Sequence, residues 1–216
     1  RTLKYTYKTQ CTIVRCKNEA EVAAKKHNAG GIAGLMDFGS VYLCENRGSV
    51  ATTDGDCTGG IAGKSSGTVR KSMAVCSLDG GDYVGGIVGR GQTVSDCLAL
   101  VHVGDAGRYV GIVAGDAETG DLAHNRFVGK TLGGIDDVSY TDVAEETDID
   151  SFCEAAKQML DADVTFALTF VCEDKIVAVV PFVYGEAISE TLIPAVPAKD
   201  GYYGRWDTYD YTAPLY

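Results

Sequence analysis

The sequence predicts a mainly β protein: a right-handed parallel β-solenoid of about five coils, followed by a capping helix and a small α+β module. Three observations carry this prediction. A glycine-rich pentapeptide returns at intervals of 26 to 29 residues, a second pattern returns with a similar period, and short apolar runs lie between them. A period of this length is typical of stacked repeats. Crossovers between parallel strands of one sheet are almost always right-handed.

The pentapeptide reads Gly-Gly-Ile-Ala-Gly or Gly-Gly-Ile-Val-Gly in three copies and Gly-Ile-Val-Ala-Gly in the fourth. Neighbouring chains in a parallel stack lie about 4.8 Å apart, so equivalent residues form ladders. Glycine is expected where a coil bends tightly or where the backbone takes a positive φ. The repeat glycines are Gly30, Gly31, Gly34, Gly59, Gly60, Gly63, Gly85, Gly86, Gly89, Gly111 and Gly115. The residues expected to point inward between them are Ile32, Ile61, Ile87 and Val113.

The second pattern is a branched apolar residue followed three positions later by a small one. It adds a fifth coil ahead of the first pentapeptide. The pairs are Ile13 and Cys16, Val41 and Cys44, Val69 and Ser72, Val94 and Cys97, and Leu122 and Asn125. Because Ser replaces Cys in this column, we interpret the column as selecting for side-chain size, and free cysteine behaves as a small buried hydrophobe.

The eight cysteines are therefore interpreted mainly as packing residues. Side chains that are in register point in parallel and suit disulfide geometry poorly. Cys57 and Cys76 lie off the column and remain the candidates for a disulfide.

The acidic residues of the repeat region fall in turns, at 54–56, 79–82 and 105–107. Asp and Gly are favoured in turns for backbone reasons. We interpret these carboxylates as solvated turn residues, because the calcium-binding nonapeptide of β-rolls is absent and no paired carboxylates are evident.

No catalytic, metal or cofactor site is predicted. His27, His102 and His124 lie on different coils, without Cys or His at the spacing of zinc ligands. Ser40, Ser65 and Ser66 are interpreted as loop serines. A Ser/His/Asp triad whose members meet only in space would leave no pattern in the sequence.

Charge is distributed unevenly along this chain of net charge −11. Residues 1–27 carry seven basic and two acidic side chains, whereas residues 131–216 carry four basic and seventeen acidic ones. A strongly acidic chain repels phosphate, so no nucleic-acid partner is expected. No apolar run reaches 18 residues, so no membrane-spanning segment is predicted. From its N-terminal sequence we expect the chain to be part of a longer polypeptide.

Composition becomes acidic and poor in glycine after residue 135. Asp148 or Thr147 is expected to cap an amphipathic helix that could cover the open end of the solenoid. Residues 164–172 and 176–184 predict a β-hairpin, in which Pro181 indicates an edge position or a bulge. The predicted domains are 1–135 (solenoid), 136–163 (linker and helix) and 164–216 (small module).

Residues 83–89, Tyr-Val-Gly-Gly-Ile-Val-Gly, and the following Val94-Ser95-Asp96-Cys97 resemble the GLUG-motif family. That family consists of tandem repeats in large secreted and surface proteins of bacteria. The resemblance covers about residues 12–135 and implies a bacterial cell-surface or extracellular location. The fourth unit departs from the motif at Ile112 and Asn125, as a terminal capping coil would.

Residues 184–207 resemble the end of the small β-grasp-like repeat of Listeria and Bacteroides surface proteins. The resemblance rests on Tyr184-Gly185, on the segment from Ile193 to Tyr203 and on Gly204-Arg205-Trp206. It implies one further strand, which the sequence does not clearly supply.

The densest aromatic cluster provides the candidate binding residues. Exposed rings there could stack on sugars, and the candidates are Tyr202, Tyr209 and Tyr211. Trp206 is interpreted as a core residue, and Tyr203 would join it in a domain too small to spare large rings.

Together these patterns predict a non-enzymatic structural or adhesive region that presents a rigid repeat scaffold. The expected partner is a host or environmental one whose identity the sequence does not give, and a host glycan or a matrix protein would suit such a scaffold. The alternative is a passive spacer or an accessory region of a larger extracellular protease or carbohydrate-active enzyme.

Overall fold

The computed structural model describes residues 10–117, 120–207 and 213–215. In chain order the first strands are β1 (Thr12–Val14), β2 (Lys17–Asn18), β3 (Val22–Ala24), β4 (Ala29–Gly30), β5 (Ala33–Met36), β6 (Ser40–Tyr42), β7 (Glu45–Asn46), β8 (Val50–Thr52), β9 (Thr58–Gly59) and β10 (Ala62–Arg70). They are followed by β11 (Met73–Asp79), β12 (Val84–Gly85), β13 (Val88–Ser95), β14 (Leu98–Val103), β15 (Val110–Gly111), β16 (Ala114–Asp116), β17 (Asp121–Ala123), β18 (Asn125–Phe127) and β19 (Ala144–Glu146). The remaining elements are α1 (Ile149–Leu160), β20 (Thr165–Cys172), β21 (Lys175–Val183) and a 3₁₀ turn (Glu190–Leu192).

Three parallel sheets form the sides of the solenoid, and the chain visits them in the same order in each coil. The first sheet contains β1, β5, β6, β10, β13, β16 and β17. The second contains β2, β3, β7, β8, β11, β14, β18 and β19, and the third contains β4, β9, β12 and β15. The predicted parallel β-solenoid is confirmed. The chain passes the first sheet five times, which corresponds to about four complete turns rather than five coils.

The apolar column of the second pattern lies in one row. Val41 pairs with Ile13 on one side and with Val69 on the other, and Val69 pairs with Val94. All three valines are fully buried, and Leu122 continues the row beside Val94. Each coil therefore buries its inward side chains against equivalent side chains one coil away, which is how a repeat too short to form its own core becomes stable.

The pentapeptide glycines are required by close backbone contact. Gly30, Gly59 and Gly85 lie in register, and Gly111 follows them. A methyl group on Gly60 would overlap the carbonyl oxygen of Gly86 in the next coil. None of the repeat glycines has a positive φ, so the expectation that some of them are needed for a left-handed backbone is wrong.

Left-handed backbone is found instead at two corners of the coil, both at residues other than glycine. One corner lies directly before each small residue of the column, with φ values of 46° to 54° at Arg15, Leu43, Lys71, Asp96 and His124. The other corner precedes the pentapeptide. Asn28, Cys57, Tyr83 and Tyr109 have φ values of 66°, 66°, 64° and 62°. The rings of Tyr83 and Tyr109 stack with centroids 4.7 Å apart. This conformation is uncommon outside glycine, and here the surrounding ladder hydrogen bonds hold it in every coil.

The column of small residues has a polar role as well as a size requirement. Ser72 Oγ accepts a hydrogen bond from the backbone N–H of Cys44 at 3.2 Å, and Asn125 Oδ1 accepts one from Cys97 at 3.1 Å. Asn125 Nδ2 also donates to the carbonyls of Val94 and Val143. These side chains satisfy backbone groups at the corner that are buried from water.

All eight cysteines are free thiols, so Cys57 and Cys76 do not form a disulfide. Cys44 and Cys97 are fully buried in the column, whereas Cys16 in the first coil is exposed. Burial raises the pKa of the Cys97 thiol to about 12, which keeps it protonated and unreactive at neutral pH.

The C-terminal end of the solenoid is closed by an abbreviated coil, residues 128–146. Two tight antiparallel bridges, Ile135 with Val138 and Tyr140 with Ala144, satisfy backbone groups at this end. Leu132, Ile135, Val143 and Ala144 pack against the main core. Local folding of the chain thus protects an edge that would otherwise be open.

The chain divides into two compact units, Arg1–Ala155 and Ala156–Tyr216, with the division inside α1. The helix begins where the sequence predicts, because Asp148 Oδ1 accepts a hydrogen bond from the N–H of Ser151 at 2.8 Å. A role for the helix in covering the solenoid stays a prediction.

The second unit contains the predicted hairpin, with β20 and β21 antiparallel. Its core consists of Phe170, Val180, Ile188 and Leu215. Pro181 lies on β21 opposite Ala167 of β20, and β21 pairs only with β20 in the described part of the chain. The register shift of the hairpin lies elsewhere, between Phe170 and Val171. The edge position expected from Pro181 is therefore the one observed.

We expect replacement of Asn125 by Ala to lower the free energy of unfolding by about 3 kcal/mol, because two carbonyls and one N–H lose their partner in the core. Ser72→Ala removes the acceptor for Cys44 and the donor to the carbonyl of Arg70. Because one bond fewer is lost, it is expected to cost about 2 kcal/mol. Urea denaturation followed by circular dichroism measures both values. Equal effects of the two substitutions would contradict a polar role for Asn125 beyond its size.

We expect Gly60→Ala to destabilise the solenoid by about 3 kcal/mol or more, because the added methyl group meets backbone that cannot move without shifting a whole coil. Gly129→Ala is the matched control, since its methyl group would closely approach only the end of the Ile112 side chain and no backbone atom. Thermal melts of both variants decide the question. A Gly60→Ala protein as stable as the control would show that the coils are not tightly stacked.

Candidate functional site

A groove of about 660 Å³ lies in the second unit, between the end of β20 and the segment of residues 196–207. One wall is formed by residues 168–173 of the hairpin and the other by irregular chain around Pro197 and Gly204. Its volume is in the range of small-molecule sites, which are commonly about 300 to 1,000 Å³.

Trp206 anchors the irregular wall to the hairpin. Its ring meets the edge of Phe170 with centroids 5.0 Å apart, and Trp206 Nε1 donates a hydrogen bond to the carbonyl of Pro194 at 2.7 Å. Trp206 packs against the core of the unit, in agreement with its interpretation as a core residue. This packing holds residues 196–207 beside the hairpin.

Two aromatic side chains at this groove remain in solvent. Tyr202 is 72 % exposed and Tyr203 is fully exposed, so the expectation that Tyr203 fills the core is wrong. An aromatic side chain can bury 150–250 Å², so leaving two neighbouring rings exposed forgoes a large stabilisation. Exposed apolar groups that cluster beside a groove are typical of binding surfaces.

A charged pair orients one of these rings. Lys199 Nζ lies 5.0 Å from the centroid of the Tyr202 ring, and the same ammonium group forms an ion pair with Glu173. The ion pair joins the hairpin turn to the opposite wall. Sequence reasoning found Tyr202 but missed Lys199 and Glu173, because they are 26 residues apart and meet only in the folded unit.

The other binding candidates, Tyr209 and Tyr211, lie outside the described residues.

Three carboxylates of the solenoid turns, those of Asp56, Asp79 and Asp82, accept backbone hydrogen bonds from the next coil. Asp56 Oδ1 accepts from the N–H of Asp82 at 3.1 Å, and Asp82 Oδ1 accepts from Arg108 at 2.9 Å. Asp79 Oδ1 accepts from the N–H of Asp105 at 3.0 Å. These bonds give the acidic turns a structural role that the sequence pattern did not reveal.

Asp82 also pairs with the Arg108 guanidinium, 2.7 Å from its Oδ2. The backbone N–H of Arg108, together with this guanidinium, holds the pKa of the Asp82 carboxyl below its usual value. The carboxylate is therefore the form that stabilises the turn.

Ser65 illustrates a sequence pattern that the fold does not use for catalysis. Residues 63–67, Gly-Lys-Ser-Ser-Gly, match the Gly-x-Ser-x-Gly pattern of nucleophile elbows. A nucleophile elbow requires a turn from strand to helix with an exposed serine, whereas Ser65 lies within β10 and is 2 % exposed. Its Oγ has no hydrogen-bond partner, so no base activates it. Ser40 and Ser66 also lie in strands rather than loops.

Within residues 10–117, 120–207 and 213–215, no group of three or more His, Cys, Asp or Glu side chains is arranged to hold a metal ion. No helix in this part of the chain is long and apolar enough to cross a bilayer.

We expect the wild-type protein to lose stability on acidification more steeply than an Asp82→Asn variant. The folded pKa of Asp82 is depressed, so its contribution is present above the ordinary value of about 4 and is lost as the pH falls through the folded pKa. Asparagine keeps an acceptor for the backbone N–H of Arg108, but it loses the ion pair with the guanidinium and does not titrate. Urea midpoints between about pH 6 and pH 2.5 measure the difference.

Asp105→Asn, at an exposed turn of the next coil, is the control for this series. An Asp82→Asn protein whose midpoints follow the wild-type curve in parallel would contradict a specific contribution of the Asp82 carboxylate.

The groove and its two exposed tyrosines therefore form the candidate site. Comparison of the chain with models of protein families, with curated proteins and with solved structures found no match.

Proposed function

We propose that this chain is a non-enzymatic binding region of a bacterial cell-surface or secreted protein, and that the groove of its second unit takes a glycan. The observation that carries the proposal is the pair of exposed rings, Tyr202 and Tyr203, beside a groove with charged and polar walls. Sugars combine apolar C–H faces with hydroxyl groups, so they suit a site that joins aromatic faces to hydrogen-bonding groups.

The walls supply both kinds of group. Phe170 and Trp206 provide apolar surface, and Lys199, Glu173 and Arg205 provide donors and acceptors of both charges. The ion pair of Lys199 with Glu173 balances charge locally, which favours a neutral polyhydroxyl ligand over a strongly ionic one.

The solenoid supports this proposal as a scaffold. The side chains of Asp56, Asp82 and Asn125 form hydrogen bonds between its coils and therefore stabilise the stack. The GLUG-like repeat and the β-grasp-like module, inferred by resemblance, belong to the same proposal. A spacer or accessory role within a larger extracellular enzyme is the alternative, and it needs no ligand.

Glycan-array screening of the full chain, followed by calorimetry with the best ligand, tests the proposal. We expect measurable binding that falls at least tenfold in a Tyr202→Ala/Tyr203→Ala variant, because the stacking surface is removed. A Tyr202→Phe/Tyr203→Phe variant should retain most of the affinity.

Phe38→Ala is the matched control, since Phe38 is also exposed (44 %) but lies in the solenoid unit. Absence of binding to any glycan would favour the spacer role. Binding that survives loss of both groove tyrosines would place the site elsewhere.

A further inference from the structure

The two ends of the solenoid unit are built differently. At the C-terminal end, the abbreviated coil of residues 128–146 folds back on itself and satisfies its own backbone groups. At the N-terminal end, β1 to β4 each pair with a strand of the second coil, and no strand pairs with their outer edges within the described residues.

The inward side chains of the first coil are incompletely covered. Ile13 and Val22 are half-buried, whereas Val41 and Val50, which occupy the same positions one coil later, are fully buried. Val14 on the same coil is 43 % exposed. The first coil therefore presents apolar side chains and strand edges together, a combination that attracts other chains.

The two ends also carry opposite charge. Within the first coil, Arg15, Lys17, Lys25 and Lys26 outnumber Glu19 and Glu21, and all of them are exposed. Residues 131–150 at the other end carry seven acidic side chains and no basic one. This acidic end also exposes Val138 (46 %) and Tyr140 (48 %).

We propose that the first coil is a docking surface for the acidic C-terminal cap of a second copy of this chain. Charge complementarity selects this occupant, because two first coils would repel each other and two acidic caps would repel each other. The contact joins different surfaces of the two copies, so it continues head to tail into open linear assemblies. Val14 of one copy and Val138 and Tyr140 of the next supply the apolar part of the contact.

The proposed contact joins the solenoid units of two copies and does not depend on the groove, which lies in the second unit. A linear assembly would repeat the second unit at regular intervals, so weak single sites would act together.

Sedimentation velocity of the full 216-residue chain over a range of concentrations tests the proposal. The wild-type chain is expected to form concentration-dependent species larger than a dimer. Lys25→Glu/Lys26→Glu reverses charge at the first coil, and Asp136→Lys/Glu146→Lys reverses it at the cap. Each variant alone is expected to associate at least tenfold more weakly, because like charges then face each other.

An equimolar mixture of the two variants should regain association, because every contact between them is again complementary. Circular dichroism melts establish that both variants are folded, and Lys71→Glu, at an exposed position of an inner coil, is the charge control. A wild-type chain that remains monomeric would overturn the proposal. Self-association of either variant at wild-type strength, or a mixture that stays monomeric, would overturn it as well.

Discussion

Close stacking of successive coils is the constraint on which the rest of the solenoid depends. With strands about 4.8 Å apart, each residue is limited by the equivalent residue one coil away. The carbonyl of Gly86 leaves no room for a side chain on Gly60. The buried N–H of Cys97 obtains its acceptor from Asn125, one coil further along. Each column therefore selects for what the space and the hydrogen bonds of its neighbours allow.

Close stacking also explains why several charged side chains of the solenoid bond to the neighbouring coil. Asp56 and Asp82 lie in turns, where a carboxylate would ordinarily be solvated, and each accepts a hydrogen bond from the following coil. Arg90 and Asp116, one coil apart, form an ion pair at 3.1 Å. These polar and charged side chains therefore bind one coil to the next.

The second unit is built from a hairpin and an irregular segment and not from stacked coils. Its hairpin supplies a small core, and the irregular segment of residues 196–207 is held beside it by Trp206. Binding groups are commonly found on loops that a rigid element positions. Here that arrangement leaves Tyr202 and Tyr203 in solvent, while Lys199 is tied to Glu173 across the groove. The proposed glycan site depends on this division between a packed anchor and an exposed rim.

The sequence alone determined the elements that depend on neighbours along the chain or on the repeat itself. Periodicity and capping depend on the local order of residues. The sequence therefore predicted the parallel solenoid, the row through Val41, Val69 and Val94, the helix start at Asp148 and the hairpin. Only the tertiary structure decided features that depend on contacts with distant residues. These include the burial of Ser65 within β10, the exposure of Tyr203, the pairing of Lys199 with Glu173 and the closure of the solenoid by residues 128–146. The environment of these residues depends on groups 20 or more residues away, or on the absence of a further coil beside them. Neither can be inferred directly from the local order of residues.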